Sequence, residues 1–187
     1  MKPAELLTIL HTAEKLKDTT RHCDTSGGRR ESVAEHSWRL ALMAFFLRDE
    51  FPELDMDKVM RMCLIHDLGE CFTGDIPSFL KTDADTEKED ALLARWTAAL
   101  PAPYDAELAG LYEEMDALET QEAKLYKALD KLEAVIQHNE APLATWLPRE
   151  YALNLTYADE NVAFSPYLSA LREAVRQETK EKIAKEK

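Results

Sequence analysis

Residues 32–69, SVAEHSWRLALMAFFLRDEFPELDMDKVMRMCLIHDLG, decide the fold class because they contain the boundary signals of two successive helices. Ser32 and Glu35 form an S-x-x-E capping box, in which each side chain can bond the backbone N–H of the other. A helix is therefore expected to start at this box and to run to about Phe51. Pro52 ends it, because proline has no backbone N–H to continue the helical hydrogen bonds.

The second helix of this stretch begins after Asp55, a candidate N-cap, and stops near Gly69. Its apolar side chains recur at helical spacing and would form one stripe on the helix surface. They are Met56, Val59, Met60, Cys63 and Leu64. Two amphipathic helices in succession indicate a mainly helical chain.

Helical spacing continues through most of the remaining sequence, and glycine is scarce, with 5 residues in 187. Further helices are expected near 4–17, 84–100, 104–117 and 120–139. Ser165-Pro166 would open a last helix, because proline is favoured at the first helical position. Residues 18–30 have the composition of a loop, and TGDIPSF at 73–79 that of a turn. The sequence therefore predicts an all-α, single-domain bundle over residues 1–187.

The overall charge is −13, from 36 acidic and 23 basic residues, which argues against a nucleic-acid polymer as partner. The three cysteines, Cys23, Cys63 and Cys71, are odd in number and form no C-x-x-C pair, as expected in a reducing cytoplasm. The N-terminus has the pattern of an amphipathic helix rather than a signal peptide. No apolar run approaches the roughly 20 residues that cross a bilayer, so we expect a soluble protein with no membrane partner.

His36, the dipeptide His66-Asp67 and Asp130 carry the sharpest chemical signal, because they offer two imidazoles and two carboxylates. This mixed nitrogen and oxygen set suits one divalent ion such as Mn²⁺, Co²⁺, Zn²⁺, Ni²⁺ or Fe²⁺, and Mg²⁺ is kept as a candidate. Four protein ligands around an ion that prefers six leave room for water and a phosphate oxygen. Consecutive helical side chains diverge by about 100°, so His66 and Asp67 share an ion most easily where Gly69 ends the helix.

Ordinary structural roles remain open for the same residues. A lone histidine on an apolar helix face is usually packed in a core, and a single His-Asp pair often arises by chance. Asp130 lies between apolar residues in KLYKALDKLEAVI, residues 124–136, where Lys127 or Lys131 could neutralise it. Glu70 could be an ordinary residue at a helix end. The residue types alone therefore leave a structural and a functional interpretation for each position.

Four motifs occur in order along the chain, and they are VAEHS at 33–37, HDLGE at 66–70, TGDIP at 73–77 and K-x-x-D at 127–130. In this order they resemble the HD-domain phosphohydrolases, and most closely their short 5′-deoxynucleotidase branch. The similarity covers roughly residues 5–140, and the combined motifs are far more specific than any one of them. The resemblance implies one HD domain whose C-terminal helices cap the bundle.

The resemblance also implies roles for single positions. The family's metal ligands fall on His36, His66, Asp67 and Asp130. Its catalytic carboxylate falls on Glu70, and an arginine that orients the phosphate falls on Arg21, fifteen residues before His36. His22 follows, where the family's deoxynucleotidases often have tryptophan. The nucleotide-contacting segment of the family falls on Asp75, Ile76, Pro77 and Ser78.

The chemistry of these residues agrees with those roles. A divalent ion polarises a phosphoryl group and makes water more acidic. Glu70, one turn beyond His66, could accept the proton of that water or donate to the leaving oxygen, and Arg21 could bind the phosphate bidentately. We therefore expect hydrolysis of the 5′-phosphate of (deoxy)nucleoside monophosphates, a small-molecule substrate. The resemblance also implies a homodimer.

Competing functions differ in the residues that they require. Oxygenases and cyclic-dinucleotide phosphodiesterases of this type bind two metals and need further histidines between the His-Asp pair and the final aspartate, and none occurs between residues 67 and 130. Alarmone hydrolysis would ask for an acidic pair after the His-Asp, where this chain has only Glu70. A non-catalytic regulatory module that binds a nucleotide or metal is the non-enzymatic alternative, and it has no need of a carboxylate at that position.

Overall fold

The computed structural model describes residues 1–185, so the last two residues of the predicted 1–187 domain lie outside the described residues. The fold is helical, with one small antiparallel hairpin, and the all-α prediction is confirmed. The helices are α1 (Pro3–Ala13), α2 (Val33–Leu47), α3 (Met56–Ile65), α4 (Glu70–Thr73), α5 (Asp83–Thr97), α6 (Tyr104–Ala117), α7 (Gln121–Glu140), α8 (Glu150–Thr156), α9 (Asp159–Val162) and α10 (Pro166–Lys185). The strands are β1 (Thr20–Asp24) and β2 (Arg30–Ser32).

The start of α2 has the predicted capping box. Ser32 Oγ accepts a hydrogen bond from the Glu35 amide at 3.3 Å, and Glu35 Oε2 accepts from the Ser32 amide at 2.9 Å. The helix ends at Leu47, and a short 3₁₀ turn then leads to the buried Phe51. These two bonds satisfy N–H groups that the first helical turn leaves unpaired, and they fix where α2 begins.

The start of α3 is also capped as predicted, because Asp55 Oδ1 accepts from the Lys58 amide at 2.9 Å. The regular helix ends at Ile65, four residues before the predicted stop at Gly69. A Cβ atom on Gly69 would lie 2.8 Å from Cγ of Glu89 on α5. Glycine at this position therefore lets the turn after α3 pack closely against α5.

The main core lies where α2, α3 and α7 pack against one another. Its fully buried side chains come from all three helices, and they include Leu40, Val59, Met62, Leu129 and Leu132. Burial of each such side chain contributes about 1.5–3 kcal/mol. This packing holds the three helices in fixed relative positions, so polar side chains at their meeting point are held as well.

The predicted loop at 18–30 is partly wrong, because β1 and β2 form an antiparallel hairpin there. The turn closes with a hydrogen bond from the Thr25 amide to the Arg29 carbonyl at 2.7 Å, and Gly28 has a φ of +79°. Glycine takes this left-handed conformation without strain. The hairpin is tied to α7, since Gln137 Nε2 donates to the Asp24 carbonyl at 2.8 Å.

The C-terminal third contains two short helices, α8 and α9, that the sequence pattern did not predict, followed by the expected last helix. Ser165 caps α10, and its Oγ accepts from the Leu168 amide at 3.3 Å. The buried Arg172 of α10 donates to the carbonyls of Tyr157 at 2.7 Å and Asn154 at 3.0 Å. These bonds fix α8 in place. Among the described residues, no helix is both long enough and apolar enough to span a membrane.

Candidate metal centre and active site

Four side chains from three separate parts of the chain meet at one point of the core. His36 lies on α2, His66 and Asp67 follow α3, and Asp130 lies on α7. The Nε2 atoms of His36 and His66 are 3.2 Å apart, and Asp67 Oδ2 lies 3.0 Å from His66 Nε2. Asp130 Oδ1 lies 3.3 Å from His36 Nε2 and 3.8 Å from His66 Nε2. The fold therefore brings together all four residues that were expected to bind metal.

The donor set at this point fits a divalent ion. One nitrogen each from His36 and His66 and one oxygen from Asp67 lie within 4.8 Å of one another, and Asp130 approaches both imidazoles. Ligand bonds of about 2.1 Å at right angles place neighbouring ligand atoms about 3 Å apart, close to the separations found here. His66 Nδ1 lies 2.9 Å from the Cys63 carbonyl, which leaves Nε2 free to face the cluster.

The surroundings of the cluster favour positive charge. Burial and Arg21 lower the pKa of His36, but its contacts with Asp130 and Glu133 outweigh both effects and raise it to about 10. Burial raises the pKa of Asp67, but the neighbouring imidazoles of His66 and His36 outweigh it and lower it to about 2. The carboxylates around the two imidazoles therefore favour a positive charge at this point.

Asp130 uses its two carboxylate oxygens differently. Oδ1 faces the two imidazoles, while Oδ2 accepts from Lys127 Nζ at 2.9 Å. Burial raises the pKa of Asp130, but Lys127 and His36 outweigh it and hold the pKa well below its usual value. The salt bridge that the sequence offered as a structural alternative is thus present, and one oxygen still faces the cluster.

Glu70, the expected catalytic carboxyl, is the first residue of α4 and is 8% exposed. Burial and the carboxylates of Asp67, Asp75 and Glu89 raise the pKa of Glu70 to about 10. Its Oε2 atom has no hydrogen-bond partner among the described residues. A nearby divalent cation would oppose this shift. Without such a cation, the Glu70 side chain is therefore a buried carboxyl that keeps its proton at neutral pH.

A cavity of about 270 Å³ opens beside the cluster and is lined by all six of the expected substrate residues. Glu70, Asp67, Asp130 and Arg21 line it, whereas His36 and His66 lie behind its wall. The cavity is also lined by His22, which follows Arg21, and by the expected substrate segment, which is Asp75, Ile76, Pro77 and Ser78. The structure therefore places the residues of all four motifs in or next to one cavity.

Arg21 reaches this cavity from β1 and is held by two buried carboxylates. Its Nη1 atom lies 2.9 Å from Glu31 Oε2 and 3.3 Å from Glu133 Oε2. Burial lowers the pKa of Arg21, but Glu133 and Cys23 outweigh it and raise the pKa above its ordinary value. The guanidinium is therefore a fixed positive charge. One of its two partners, Glu133, also contacts His36.

A second cavity, of about 710 Å³, lies between α5, α6 and α7 and also reaches His66 and Asp67. Its wall is rich in carboxylates, and these belong to Glu89, Asp90, Asp105, Glu113 and Asp116. The first cavity has four cationic side chains, Arg21, Lys81, Lys127 and Lys131, against five carboxylates, whereas Lys81 and Lys127 face six carboxylates in the second, Asp67 included. Because like charges repel, an anionic ligand favours the first cavity over the second.

The sequence profile of the HD domain family matches residues 13–172, most of the chain. The chain belongs to the HD domain family. The resemblance inferred from the four motifs is thereby confirmed at the level of the family. The match also extends past the motifs, through α8 and α9 and into the first part of α10.

Curated relatives of this HD domain include two that are named 5′-deoxynucleotidases. HDDC2 of Mus musculus is 35% identical over 112 residues, which are 59% of this chain and 55% of the relative. The protein hdd1 of Schizosaccharomyces pombe is 24% identical over 144 residues, 73% of this chain and 72% of the relative. The chain thus spans little more than half the length of the mouse relative.

Solved structures resemble the HD domain along nearly its whole length. The crystal structure of a predicted metal-dependent phosphohydrolase from Magnetospirillum magnetotacticum superposes with a TM-score of 0.78 at 31% identity, covering 96% of this chain and 95% of that chain. A conserved protein from Pyrococcus furiosus superposes with a TM-score of 0.72 at 29% identity, covering 91% and 99%.

Several residues of this HD domain site were missed in the sequence. Glu133 is fully buried, and its Oε2 atom lies 2.5 Å from His36 Nδ1. It follows Asp130 by three residues, so the two share one face of α7, and this spacing was the available signal. His138 on α7 also lines the cavity, although it belongs to none of the four motifs. The C-terminal third was expected only to cap the bundle, but Glu150 and other residues of α8 also line the cavity.

Proposed function

We propose that this chain is a metal-dependent phosphohydrolase that removes the 5′-phosphate of (deoxy)nucleoside monophosphates, giving a nucleoside and phosphate. The observation that carries the proposal is the convergence of His36, His66, Asp67 and Asp130 beside the unpaired carboxyl of Glu70. The names of the curated relatives and of the solved phosphohydrolase support the same activity.

The four converging residues are the proposed metal ligands. Imidazole and carboxylate donors suit Mn²⁺, Co²⁺, Zn²⁺, Ni²⁺ or Fe²⁺, and Mg²⁺ is kept as a candidate. When bound, one such ion supplies Lewis acidity to the phosphoryl group and makes water a better nucleophile at neutral pH. Elemental analysis of the purified protein identifies the ion, and a metal content near zero after growth in rich medium would contradict the proposal.

In this proposal Glu70 transfers a proton and Arg21 binds the phosphate. The Glu70 carboxyl moves a proton, either from the attacking water or to the leaving oxygen of the nucleoside. Arg21 presents a fixed positive charge to the phosphate and stabilises the charge that develops on its oxygens. Lys81, Lys127 and Lys131 add positive potential along the same cavity.

The segment after α4 and the residue after Arg21 are the proposed contacts to the rest of the nucleotide. His22 and residues 75–78 line the cavity beyond Glu70. A ring of His22 lies edge-on to Phe79, with centroids 5.5 Å apart, so an aromatic surface exists although tryptophan is absent at position 22. We propose that His22, Asp75, Ile76, Pro77 and Ser78 bind the sugar and its surroundings.

The alternatives from the sequence make different predictions for the same purified protein. Alarmone or cyclic-nucleotide hydrolysis predicts turnover of those substrates and none of monophosphates. A non-catalytic regulatory module predicts binding without turnover. The unpaired, buried carboxyl of Glu70 opposes the last alternative, because an unsatisfied buried group costs about 1–3 kcal/mol and a binding module gains nothing from it.

The decisive experiment measures phosphate release from a panel of nucleoside monophosphates with added Mn²⁺ or Co²⁺. Glu70→Ala should keep its metal and slow turnover by roughly 10²–10⁴-fold, the usual contribution of a general acid or base. Asp67→Ala serves as the matched comparison, since it should lose both metal and activity. A Glu70→Ala protein that works at the parent rate would refute the assigned chemistry.

We also propose that the chain forms one HD domain and functions as a homodimer in the cytoplasm. Four large apolar side chains are exposed along one side of α2, and these are Trp38, Leu42, Phe45 and Phe46. Such a patch favours association with a second copy. Light scattering should show a dimer that Phe46→Ser weakens and the control Tyr104→Ser, on α6, does not. The three free, buried cysteines suit a reducing compartment.

A further inference from the structure

The far wall of the cavity comes from the C-terminal third of the chain. Glu150, Leu153 and Asn154 of α8 and Tyr157 just after it line the same cavity as Arg21 and Glu70. Their positions follow the spacing i, i+3, i+4 and i+7, so they occupy one face of the helix. One wall of the cavity therefore comes from α8, and it differs in chemistry from the wall that carries Arg21 and Glu70.

Glu150 fixes the start of α8 against the other walls of the cavity. Its Oε1 atom lies 2.9 Å from Nε2 of His22 on β1 and 3.2 Å from Nε2 of His138 on α7. Its Oε2 atom accepts from the Leu147 amide at 2.6 Å. The residue is 2% exposed. Because three separate elements meet at this carboxylate, the face of α8 is held rigidly where a ligand would contact it.

Asn154 is the unusual residue of this face. It is 3% exposed, and its side-chain Nδ2 atom has no hydrogen-bond partner among the described residues. A buried amide without a partner costs about 1–3 kcal/mol, so such groups are rare unless a ligand or water satisfies them. Asn154 lines the cavity, and its backbone carbonyl is bound by Arg172, which prevents α8 from turning away.

The residues that line the cavity around Asn154 indicate which kind of ligand could accept a hydrogen bond from its Nδ2 atom. Phe79, His22 and Tyr157 supply aromatic surface around the same cavity, and Leu153 supplies an apolar contact. Lys131 already pairs with the Tyr157 hydroxyl, with Nζ 2.7 Å from Oη. A flat heteroaromatic ring with hydrogen-bonding groups on its edge satisfies both the aromatic walls and the unpaired amide, since asparagine bonds such edges through its carboxamide.

We propose that the face of α8 is the nucleobase-binding end of the site, with the Asn154 carboxamide donating a hydrogen bond to an acceptor on the base. The inference rests on the proposed nucleotide phosphohydrolase activity and extends it to a contact on the far side of the substrate. It assigns to the C-terminal third a part in selecting substrates.

The test compares two substrates that differ only in the base. A deoxynucleoside 5′-monophosphate and 2-deoxyribose 5-phosphate share the phosphate and the sugar carbons, but only the first reaches α8 with a base. In Asn154→Leu, KM for the nucleotide should rise by about 3- to 10-fold, the value of one uncharged hydrogen bond. Its kcat, and both constants for 2-deoxyribose 5-phosphate, should stay at the parent values. Thr156→Ala, on the exposed side of α8, is the matched control and should change neither substrate.

Each outcome of this test has a separate meaning. If the parent enzyme hydrolyses nucleotides and Asn154→Leu keeps the parent KM for all four bases, the inference is wrong while the proposed function stands. If the parent hydrolyses neither substrate with any metal, the proposed function fails and the inference fails with it. Asn154→Asp provides a second variant in case the leucine disturbs folding, and it should raise KM most for bases that present only acceptors to α8. Thermal unfolding of each variant shows whether the fold is retained.

Discussion

Replacing Glu133 with glutamine should disturb both the stability of the protein and its affinity for metal. Glu133 is fully buried, and three positively charged or donor groups depend on it. His36 Nδ1 lies 2.5 Å from its Oε2, Arg21 Nη1 lies 3.3 Å from the same atom, and Arg39 Nε lies 3.0 Å from its Oε1. Glutamine keeps the volume of the side chain but removes the charge that all three groups face.

The size of the effect follows from what each partner retains. Breaking a buried ion pair costs about 3–5 kcal/mol, because the remaining charge stays buried without compensation. Arg21 keeps Glu31, and Arg39 keeps Gln137 and Glu140, so we expect the lower end of that range. About 3 kcal/mol corresponds to a fall in Tm of roughly 6–12 °C for a chain of this size.

The effect on metal binding has a separate cause. A carboxylate behind a ligating imidazole fixes its ring orientation and makes it more basic, and its loss usually lowers metal affinity by about 10–100-fold. Glu140→Gln is the matched control, because Glu140 bonds the same Arg39 at 2.6 Å but is half exposed. Its loss should cost about 0–1 kcal/mol and leave metal affinity unchanged.

Chemical denaturation and calorimetric titration with Mn²⁺ measure the two effects on the same protein samples. If Glu133→Gln unfolds at the same denaturant concentration as Glu140→Gln, the buried network does not stabilise the fold. If its metal affinity equals that of the parent, His36 is not oriented through Glu133. Either result would refute the corresponding half of the reasoning.

Three further predictions concern other parts of the molecule. Gly69→Ala should lower the free energy of unfolding by about 1–3 kcal/mol, because its Cβ would lie 2.8 Å from Glu89. Gly110→Ala, which has open space around it in α6, should raise the free energy of unfolding by about 0.5–1 kcal/mol. Urea unfolding measures both changes. Burial raises the pKa of Glu114, but hydrogen bonds, led by the one from Lys58, outweigh burial and lower the pKa. The stabilisation of the fold by ionised Glu114 is therefore complete above pH 4.5 and is lost as the pH falls below it. Glu114→Gln should therefore flatten the acid side of the stability curve. Chelation of bound metal should lower Tm, and re-addition should restore it.

The helix starts could be predicted because their signals are local. The bonds between Ser32 and Glu35, and between Ser165 and Leu168, join residues three apart in the sequence. Proline and the caps set the remaining boundaries, and α6 occupies exactly the predicted range of 104–117. Where the deciding interaction spans three or four residues, the pattern in the sequence is sufficient to place the element.

The hairpin at β1 and β2 shows where local reasoning fails. Its strands have five and three residues, too few for a clear alternating pattern. The contacts that hold it to the domain are distant in sequence, and one of them, the bond from Gln137 to the Asp24 carbonyl, spans 113 positions. A segment rich in small polar residues is predicted as a loop unless that distant partner is known.

The candidate metal site was predictable to the extent that its motifs were recognisable. His66-Asp67 alone is ambiguous, and the residue types of His36 and Asp130 made them candidate ligands that the resemblance then supported. Glu133 could have been suspected, because a glutamate three residues after a buried aspartate faces the same way along a helix. Only the three-dimensional packing shows that it contacts His36 instead of solvent.

The far wall of the cavity explains why substrate preference was harder to predict than chemistry. Metal ligands and proton donors are constrained in residue type, so a motif can reveal them. A wall that contacts a base needs only suitable shape and one or two polar groups, and many residue types satisfy this requirement. The face of α8 has the spacing of an ordinary buried helix, and its function depends on where Arg172 and Glu150 fix it. Substrate selection can therefore change through α8 while the residues that carry the reaction stay the same.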